Sequence, residues 1–561
     1  MSTKSVAPTI ENASVSAEPS RPGFSYCLLI IALAALVPML VLGASRAISY
    51  DGYWHLFIAS QNRWKQFLFE YKANAHPIVY FLVLRVIQFL GHSRLVLRSG
   101  AIAPGVAAVY LMGLIAARLC RNRIVALLAA AAYGFATVMI EIEIDVRSYS
   151  LCLFFALTAF YFLIDFLDRD FTPSAARSLL LFGLFASGAI ATEYYAVFFL
   201  LACLAALPMV LLKETEIRRR ALRWTVANWR AALGAVALPF ATMAYFYLTH
   251  IRHQPLEYGH LSGFYYEAGS SRADFILRNL RADLNYILPF EITSTNILLA
   301  ALALIVPAIL IFAFYRGLLV RNFFAGLPGL ISLFIVVELI VVSLLGRYPF
   351  GGFERQQSIL FPFFILATFV LLDSLVSYLR AAWLRAAVLT IVALSIAASF
   401  EYRWQRTPRD SEELFSREYQ TFENTVAHPD AVYLDQFTII GFYIHTHAWK
   451  WKLDRHFREP DRIDECRLTS PSGEKMFLLR DIDQWNFDLH NPQIYQTLAN
   501  SLRDAQLTSA SMFLLKQVQG PATPEALLTE QTDVRRLAAA AGLHATILHD
   551  DPAQAEISFS K

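Results

Sequence analysis

The chain has 561 residues, 56% of them hydrophobic and 17% charged, against roughly 25% charged in an ordinary soluble domain. A formal net charge of +3 excludes the broad basic field of a nucleic-acid binder, so no nucleic-acid partner is expected. Of the five cysteines, Cys27, Cys120, Cys152 and Cys203 lie in or beside apolar runs and Cys466 is alone in a polar region, which excludes a disulfide framework and a CxxC metal site.

The first 23 residues, rich in Ser, Pro and Ala, read as a disordered tail. The run from 24 to 44 is too long for a signal-peptide core and lacks a clean cleavage pattern, so it reads as a retained first helix. Apolar runs of about 15 to 22 residues then recur as far as Phe400, close to the roughly 20 needed to cross about 30 Å of hydrocarbon. Predicted spans are 24–44, 99–117, 124–140, 149–167, 178–192, 194–212, 231–249, 292–315, 324–345, 358–379 and 386–400, about eleven transmembrane helices in all.

Basic clusters at Arg118/Arg121/Arg123, Arg169 to Arg177, Lys213 to Arg230, Arg316/Arg321 and Arg380/Arg385 set the orientation. With a cytoplasmic N-terminus, these spans place every cluster inside. The segment 76–91 is apolar too, but counting it would move the clusters outside. It is short, carries Arg85 and Gln88, and is expected to lie on the membrane surface or tuck against the bundle. The outer side then receives 45–98, the turn at 141–148 with "ATEYY" at 191–195, 250–291 and 346–357. After Phe400 the sequence turns charged and proline-broken. Predicted strands at 431–434, 475–479, 511–515 and 545–548 alternate with helical patterns at 491–505 and 524–541, the pattern of a soluble α/β domain over 401–561 on the extracytoplasmic side.

Ionisable groups at membrane depth mark functional candidates. In "EIEIDVRSYS", 141–150, Glu143 can pair with Arg147 at i+4 on a continued helix, which leaves Asp145 unexplained. Asp145 stands at the predicted outer surface, level with Asp51 of "SYDGYWH" and Glu193 of "TEYY", so three carboxylates from three loops could surround one site. For Asp51 the alternative is a cap on the following helix.

An acid just after the first span, the amphipathic stretch leading to "HP", "IDVRSYSL", "TEYYAVFFLLA" and "RYPFGGFERQQSILFPFFILA" follow one another in the order found in polyprenyl-phosphate-sugar-dependent glycosyltransferases of the GT-C class. The chain from about 24 to 380 resembles the bacterial relatives of protein O-mannosyltransferases and the lipid A aminoarabinose transferases. It departs from them at Asp51-Gly52, where many relatives have Asp-Glu, and at Glu193, where histidine is usual.

The resemblance implies a GT-C-like helical membrane domain over 24–400 and direct displacement at a sugar C1. The donor would be a polyprenyl-phosphate sugar and the acceptor a lipid, glycan or protein, at the outer face of the cell (inner) membrane. Such chemistry needs a carboxylate for the acceptor proton and cationic stabilisation for the leaving phosphate. Asp51 is the expected base, with Asp145 beside it. Lys72, Arg147, Arg347 and Arg355 are the candidates for the phosphate, Arg355 favoured because the Gly-Gly pair before it lets backbone approach a ligand. His76, Tyr149, Glu193 and Tyr348 stand in the matching motifs as substrate-binding candidates. Asp51, His55 and Asp145, with Glu70 and His76 in reach, could hold a divalent metal ion, while His76 could instead cap the helix after Pro77. A transporter or flippase of a lipid-linked substrate is the alternative function, but the polar residues gather at one face rather than at the midplane. A third reading is a non-catalytic scaffold that presents the C-terminal domain.

Overall fold

The computed structural model describes residues 22–61, 63–72, 74–254, 264–267, 269, 271–287, 297–319, 323–351, 354–407, 432–434, 452–458, 463–469, 471–473, 475–481, 489–504, 506–515, 524–550 and 554–561. The helices of the membrane region are α1 (Pro22–Ser45), α2 (Tyr50–Ser60), α3 (Trp64–Lys72), α4 (Ile78–Leu90), α5 (Arg94–Leu119), α6 (Arg123–Gly134), α7 (Thr137–Ile144), α8 (Tyr149–Asp168) and α9 (Ala175–Thr192). They continue with α10 (Ala196–Leu212), α11 (Thr215–Ala227), α12 (Trp229–Thr249), α13 (Arg272–Ile287), α14 (Ile297–Tyr315), α15 (Leu327–Leu344), α16 (Glu354–Gln357), α17 (Phe361–Tyr378) and α18 (Ala382–Arg406).

Every predicted span has its helix. Among the described residues eight helices are long and apolar enough to cross a membrane, α6 and α7 form a ninth candidate bent by 56°, and α4, α10 and Val306–Tyr315 of α14 are shorter apolar helices. The last span runs on to Arg406, past the expected boundary at Phe400. Helix α1 shows how the bundle is built. It is apolar all round, and Leu28, Ala32, Ala35, Met39 and Leu42 pack into the core while Ile30, Leu33 and Val37 stay on the outside, the face that suits lipid.

The segment expected not to cross is α4, tucked against α2 and α5. The two polar residues that argued against a span have a specific task. Arg85 donates to the carbonyls of Ala59 (3.2 Å) and Gln61 (2.6 Å), and Gln88 donates to that of Leu56 (3.0 Å). These carbonyls sit at the C-terminal end of α2, where the helix itself offers no N–H partners. Ile48, Leu56, Ala59, Tyr80, Leu84, Leu97 and Val146 close an apolar cluster beneath α2, so the outer helices form a platform fixed to the bundle.

The C-terminal part holds β1 (Val432–Leu434), β2 (Lys452–Arg458), β3 (Ile463–Thr469), β4 (Lys475–Asp481), α19 (Pro492–Asp504), β5 (Ser509–Leu515), α20 (Pro524–Ala540), β6 (His544–Asp550) and β7 (Gln554–Ser560). They form one sheet in the order β2-β3-β4-β1-β5-β7-β6, parallel at β4-β1-β5 and antiparallel outside it. Ile494, Tyr495 and Leu498 of α19 pack with Met512, Ile557 and Phe559. The four predicted strands are β1, β4, β5 and β6. Strands β2 (KLDRHFR) and β3 (IDECRLT) lie beyond the sequence expectation because their polar sequences become strands by pairing in a hairpin, whereas β7 (QAEISFS), also not anticipated, carries an alternating Ala555, Ile557, Phe559 pattern.

Candidate active site

The site begins where α1 ends. Arg98, near the start of α5 and 3% exposed, donates to the carbonyls of Gly43 (2.5 Å), Arg46 (2.7 Å) and Ala47 (2.8 Å) and, through Nε, to that of Ile144 (2.9 Å). One guanidinium thus holds the corner after α1 and the end of α7 together. Just beyond the corner, Ser49 caps α2: its Oγ accepts from the Gly52 N–H (3.1 Å) and donates to Asp145 Oδ1 (2.7 Å). Asp51 is therefore not the cap. It lies in the first turn of α2, where the helix N-terminus favours a carboxylate.

The departure at Gly52 has a packing cause. A Cβ there would lie 2.7 Å from Ile48 Cγ2 and 3.2 Å from Val146 Cβ. Glycine lets α2 settle on the segment between α7 and α8 that carries Asp145, Arg147 and Ser148. Because α7 stops at Ile144, Glu143 and Arg147 do not share a helix face and the expected pair between them does not form. Glu143 is instead fully buried, beside Tyr133.

Arg147 turns to the platform. Its NH1 lies 2.6 Å from Asp51 Oδ2, and Arg355 NH1 reaches the same oxygen at 2.8 Å. The NH2 group of Arg147 donates to His76 Nε2 (2.8 Å) and to the Tyr149 hydroxyl (2.9 Å). A guanidinium can only donate, so Nε2 accepts and the proton of a neutral imidazole sits on Nδ1. His76 Nδ1 in turn donates to Glu193 Oε1 at 2.7 Å, and Ser148 Oγ donates to the same oxygen. Asp51, Arg147, His76 and Glu193 form a continuous polar chain. His76 does not cap α4, whose N-cap Pro77 makes no side-chain bond.

Burial alone would raise the Asp51 carboxyl's proton affinity, but the Arg147 and Arg355 charges, with smaller help from His55 and His76, outweigh it and hold the group well below the usual carboxylate range. His55 neither faces water nor touches the Asp51 carboxylate. Its Nδ1–H donates to the Asp51 backbone carbonyl (2.7 Å), its ring stacks on Phe81, and its buried Nε2 has no hydrogen-bond partner. Burial, followed by the neighbouring Arg147 charge, pushes its basicity well down.

Arg355 comes from α16, the short helix after the "YPFGG" loop. Tyr348 donates its hydroxyl to the Gln356 carbonyl (3.0 Å), Gln357 Nε2 donates to the Pro349 carbonyl (3.0 Å), and Ser358 Oγ donates to the Arg355 carbonyl (2.9 Å) while bonding the Tyr195 hydroxyl (2.9 Å). Tyr348 thus anchors α16. Gly351 has φ +68°, and a Cβ on it would lie 2.5 Å from Asn279 Cα. The close approach expected of this glycine pair is met by α13 at Gly351; Gly352 lies outside the described residues.

Lys72, exposed at the end of α3, and Arg347, exposed beside the loop, stand outside this network. Asp51, His55 and Asp145 do not assemble as a ligand set: Asp51 turns to two guanidinium groups, His55 to backbone and Asp145 to Ser49. No three His, Cys, Asp or Glu side chains converge in a metal-binding arrangement among the described residues. Sequence reasoning missed Arg98 and Ser49. Arg98 carried a readable signal, an arginine at the edge of an apolar run, whereas Ser49 had none beyond a cap-forming residue type before Asp51.

Residues 76–254 match the model of the dolichyl-phosphate-mannose-protein mannosyltransferase family. The match takes in His76, Arg147, Tyr149 and Glu193, and leaves Asp51 and Arg355 outside it. The fold is similar over 96% of the chain to that of ArnT from Cupriavidus metallidurans in the apo state, with a TM-score of 0.53, 12% identity and 98% of that chain covered. The chain has an ArnT-like helical membrane fold. Its fold is likewise similar to that of the same ArnT bound to undecaprenyl phosphate, with a TM-score of 0.52, 14% identity and coverage of 96% and 98% of the two chains. Comparison with curated proteins by sequence gives no match. The residues of four separated motifs meet at one end of the bundle, around Asp51.

Proposed function

We propose that the protein transfers a sugar from a polyprenyl-phosphate donor to a hydroxyl of a lipid, glycan or protein acceptor at the outer face of the cell (inner) membrane, with inversion at C1. The observation that carries this reading is the convergence of two arginines, from segments more than 200 residues apart in sequence, on a single oxygen of Asp51. A carboxylate and two guanidinium groups are what the displacement requires. The acceptor oxygen attacks C1 and gives its proton to Asp51, while the C1–O bond to phosphate breaks. The electron pair leaves with the polyprenyl phosphate, whose added negative charge the arginines meet through paired N–H donors.

Arg118 and Arg169 at the C-terminal ends of α5 and α8, and Arg220 and Arg223 within the amphipathic helix α11, support a cytoplasmic N-terminus, with the site and the C-terminal domain outside. The solved ArnT complex with undecaprenyl phosphate supports the donor class. The test is transfer by the purified full chain from a panel of polyprenyl-phosphate sugars to lipid, glycan and peptide acceptors, comparing wild type with Asp51→Asn. Transfer abolished in Asp51→Asn is the expected result. Equal transfer by the mutant would refute the role of Asp51, and no transfer from any donor would refute the donor class.

A further inference from the structure

A base clamped by two cations is a poor base, because what holds the carboxylate ionised also lowers its appetite for a proton. The two arginines are not equivalent. Arg147 is 7% exposed and is tied by its other nitrogen to His76 and Tyr149. Arg355 is 24% exposed and stands at the start of the helical run that continues into α17. Asp51 itself is 38% exposed, so a phosphate arriving at the site can reach the shared oxygen and the guanidinium that holds it.

Resting on the reading of Asp51 as the base, we propose that Arg355 is the exchangeable partner. In the resting protein it bonds Asp51 Oδ2, and on donor binding its N–H groups pass to the donor's phosphate, leaving Asp51 with Arg147 alone and competent to take the acceptor's proton. Arg147 is then a positioning residue, held in place by His76, itself oriented by Glu193. The exchange is non-covalent: an N–H···carboxylate bond is replaced by N–H···phosphate bonds, for which the guanidinium's planar fork is at least as well matched. Coupling the two events keeps the base idle until a lipid phosphate occupies the site.

Among the described residues, the charged and titratable groups around Asp51 are Arg147 and Tyr149 from the α7–α8 region, Arg355 from α16, His55 on its own helix, and His76 with Glu193 behind it. Asp145, through Ser49, and Arg46 and Arg98 stand at the corner before α2. Among the described residues in direct contact with the Asp51 carboxylate, Arg355 is more exposed than Arg147.

The test uses the full chain in detergent and undecaprenyl phosphate as the probe. The carboxylic C=O infrared band that disappears in Asp51→Asn is titrated with and without the lipid. In wild type the midpoint is expected to rise on lipid binding by a unit or more, a tenfold gain in proton affinity. In lipid-free Arg355→Gln the midpoint should already be raised, and the further rise on adding lipid should be smaller than in wild type. Arg355→Lys, which keeps the charge, is expected to fall between the two and serves if the glutamine variant does not fold. A wild-type midpoint unmoved by lipid overturns the exchange. So does an equal lipid-induced rise in wild type and variant, since the phosphate's charge alone would explain it. Failure of the base reading appears separately, as sugar transfer surviving in Asp51→Asn.

Discussion

Replacing Arg98 by alanine removes the group that joins the end of α1 to the end of α7. Its guanidinium satisfies four carbonyls, those of Gly43, Arg46, Ala47 and Ile144, and the side chain is almost wholly withdrawn from solvent. A hydrogen bond to a charged donor contributes about 1.5–3 kcal/mol, and a buried acceptor left without a partner costs about 1–3 kcal/mol. The four terms do not add, because the corner after α1 can relax and admit water, so the expected loss is about 3–5 kcal/mol, comparable to breaking a buried charge pair. Arg98→Lys keeps the charge but presents one compact ammonium with three donors, which cannot span four carbonyls on two segments, and should recover less than half of the loss. Thermal unfolding of the purified protein in one fixed detergent, followed by loss of the monodisperse peak, measures the first effect. Transfer rate at a temperature where all variants remain folded measures displacement of Asp51. An alanine variant that unfolds at the wild-type temperature would refute the reasoning, and so would a lysine variant indistinguishable from wild type.

Glu193→Ala removes the acceptor of both His76 and Ser148 and is expected to lower the transfer rate by about 10- to 100-fold, in the range of outer-shell partners that orient a functional histidine; Glu193→Gln, which still accepts from Nδ1–H, should lose less. Gly52→Glu pushes a side chain into Ile48 and Val146 and should cost about 1–3 kcal/mol of stability, read as a lower unfolding temperature. Gly351→Ala combines a left-handed backbone angle with a clash against α13; it is expected to lower stability by about 1–3 kcal/mol and to raise the donor KM by displacing Arg355. Asp51 binds a proton less readily folded than unfolded, so the stability it contributes is present at neutral pH and fades as pH falls below about 4. The gap in unfolding temperature between wild type and Asp51→Asn should therefore narrow on acidification, and a gap that widens would contradict the ion pairs.

The sequence by itself determined the helices of the predicted spans and that acids and arginines collect beside one set of helix ends, whereas α2, α3, α11 and α13 were not read from it. The spans and the charge clusters follow from local quantities: the length of an apolar run and the placement of basic residues. Motif order also brought forward Asp51, Arg147, His76, Glu193 and Arg355, each of which the fold brings into one network. Partnership was decided only by tertiary structure. Arg147 reads along the chain as a mate for Glu143, but the helix ends at Ile144 and turns it to Asp51 instead. His55 and His76 look alike in sequence, yet one is spent on a backbone carbonyl beside Phe81 and the other bridges Arg147 and Glu193. Gly52 looks like a lost acid until Val146 is seen beneath it. Hydrogen bonds between segments as far apart as Asp51 and Arg355 depend on helix packing and on where helices stop, and neither is encoded in the spacing of residues along one segment.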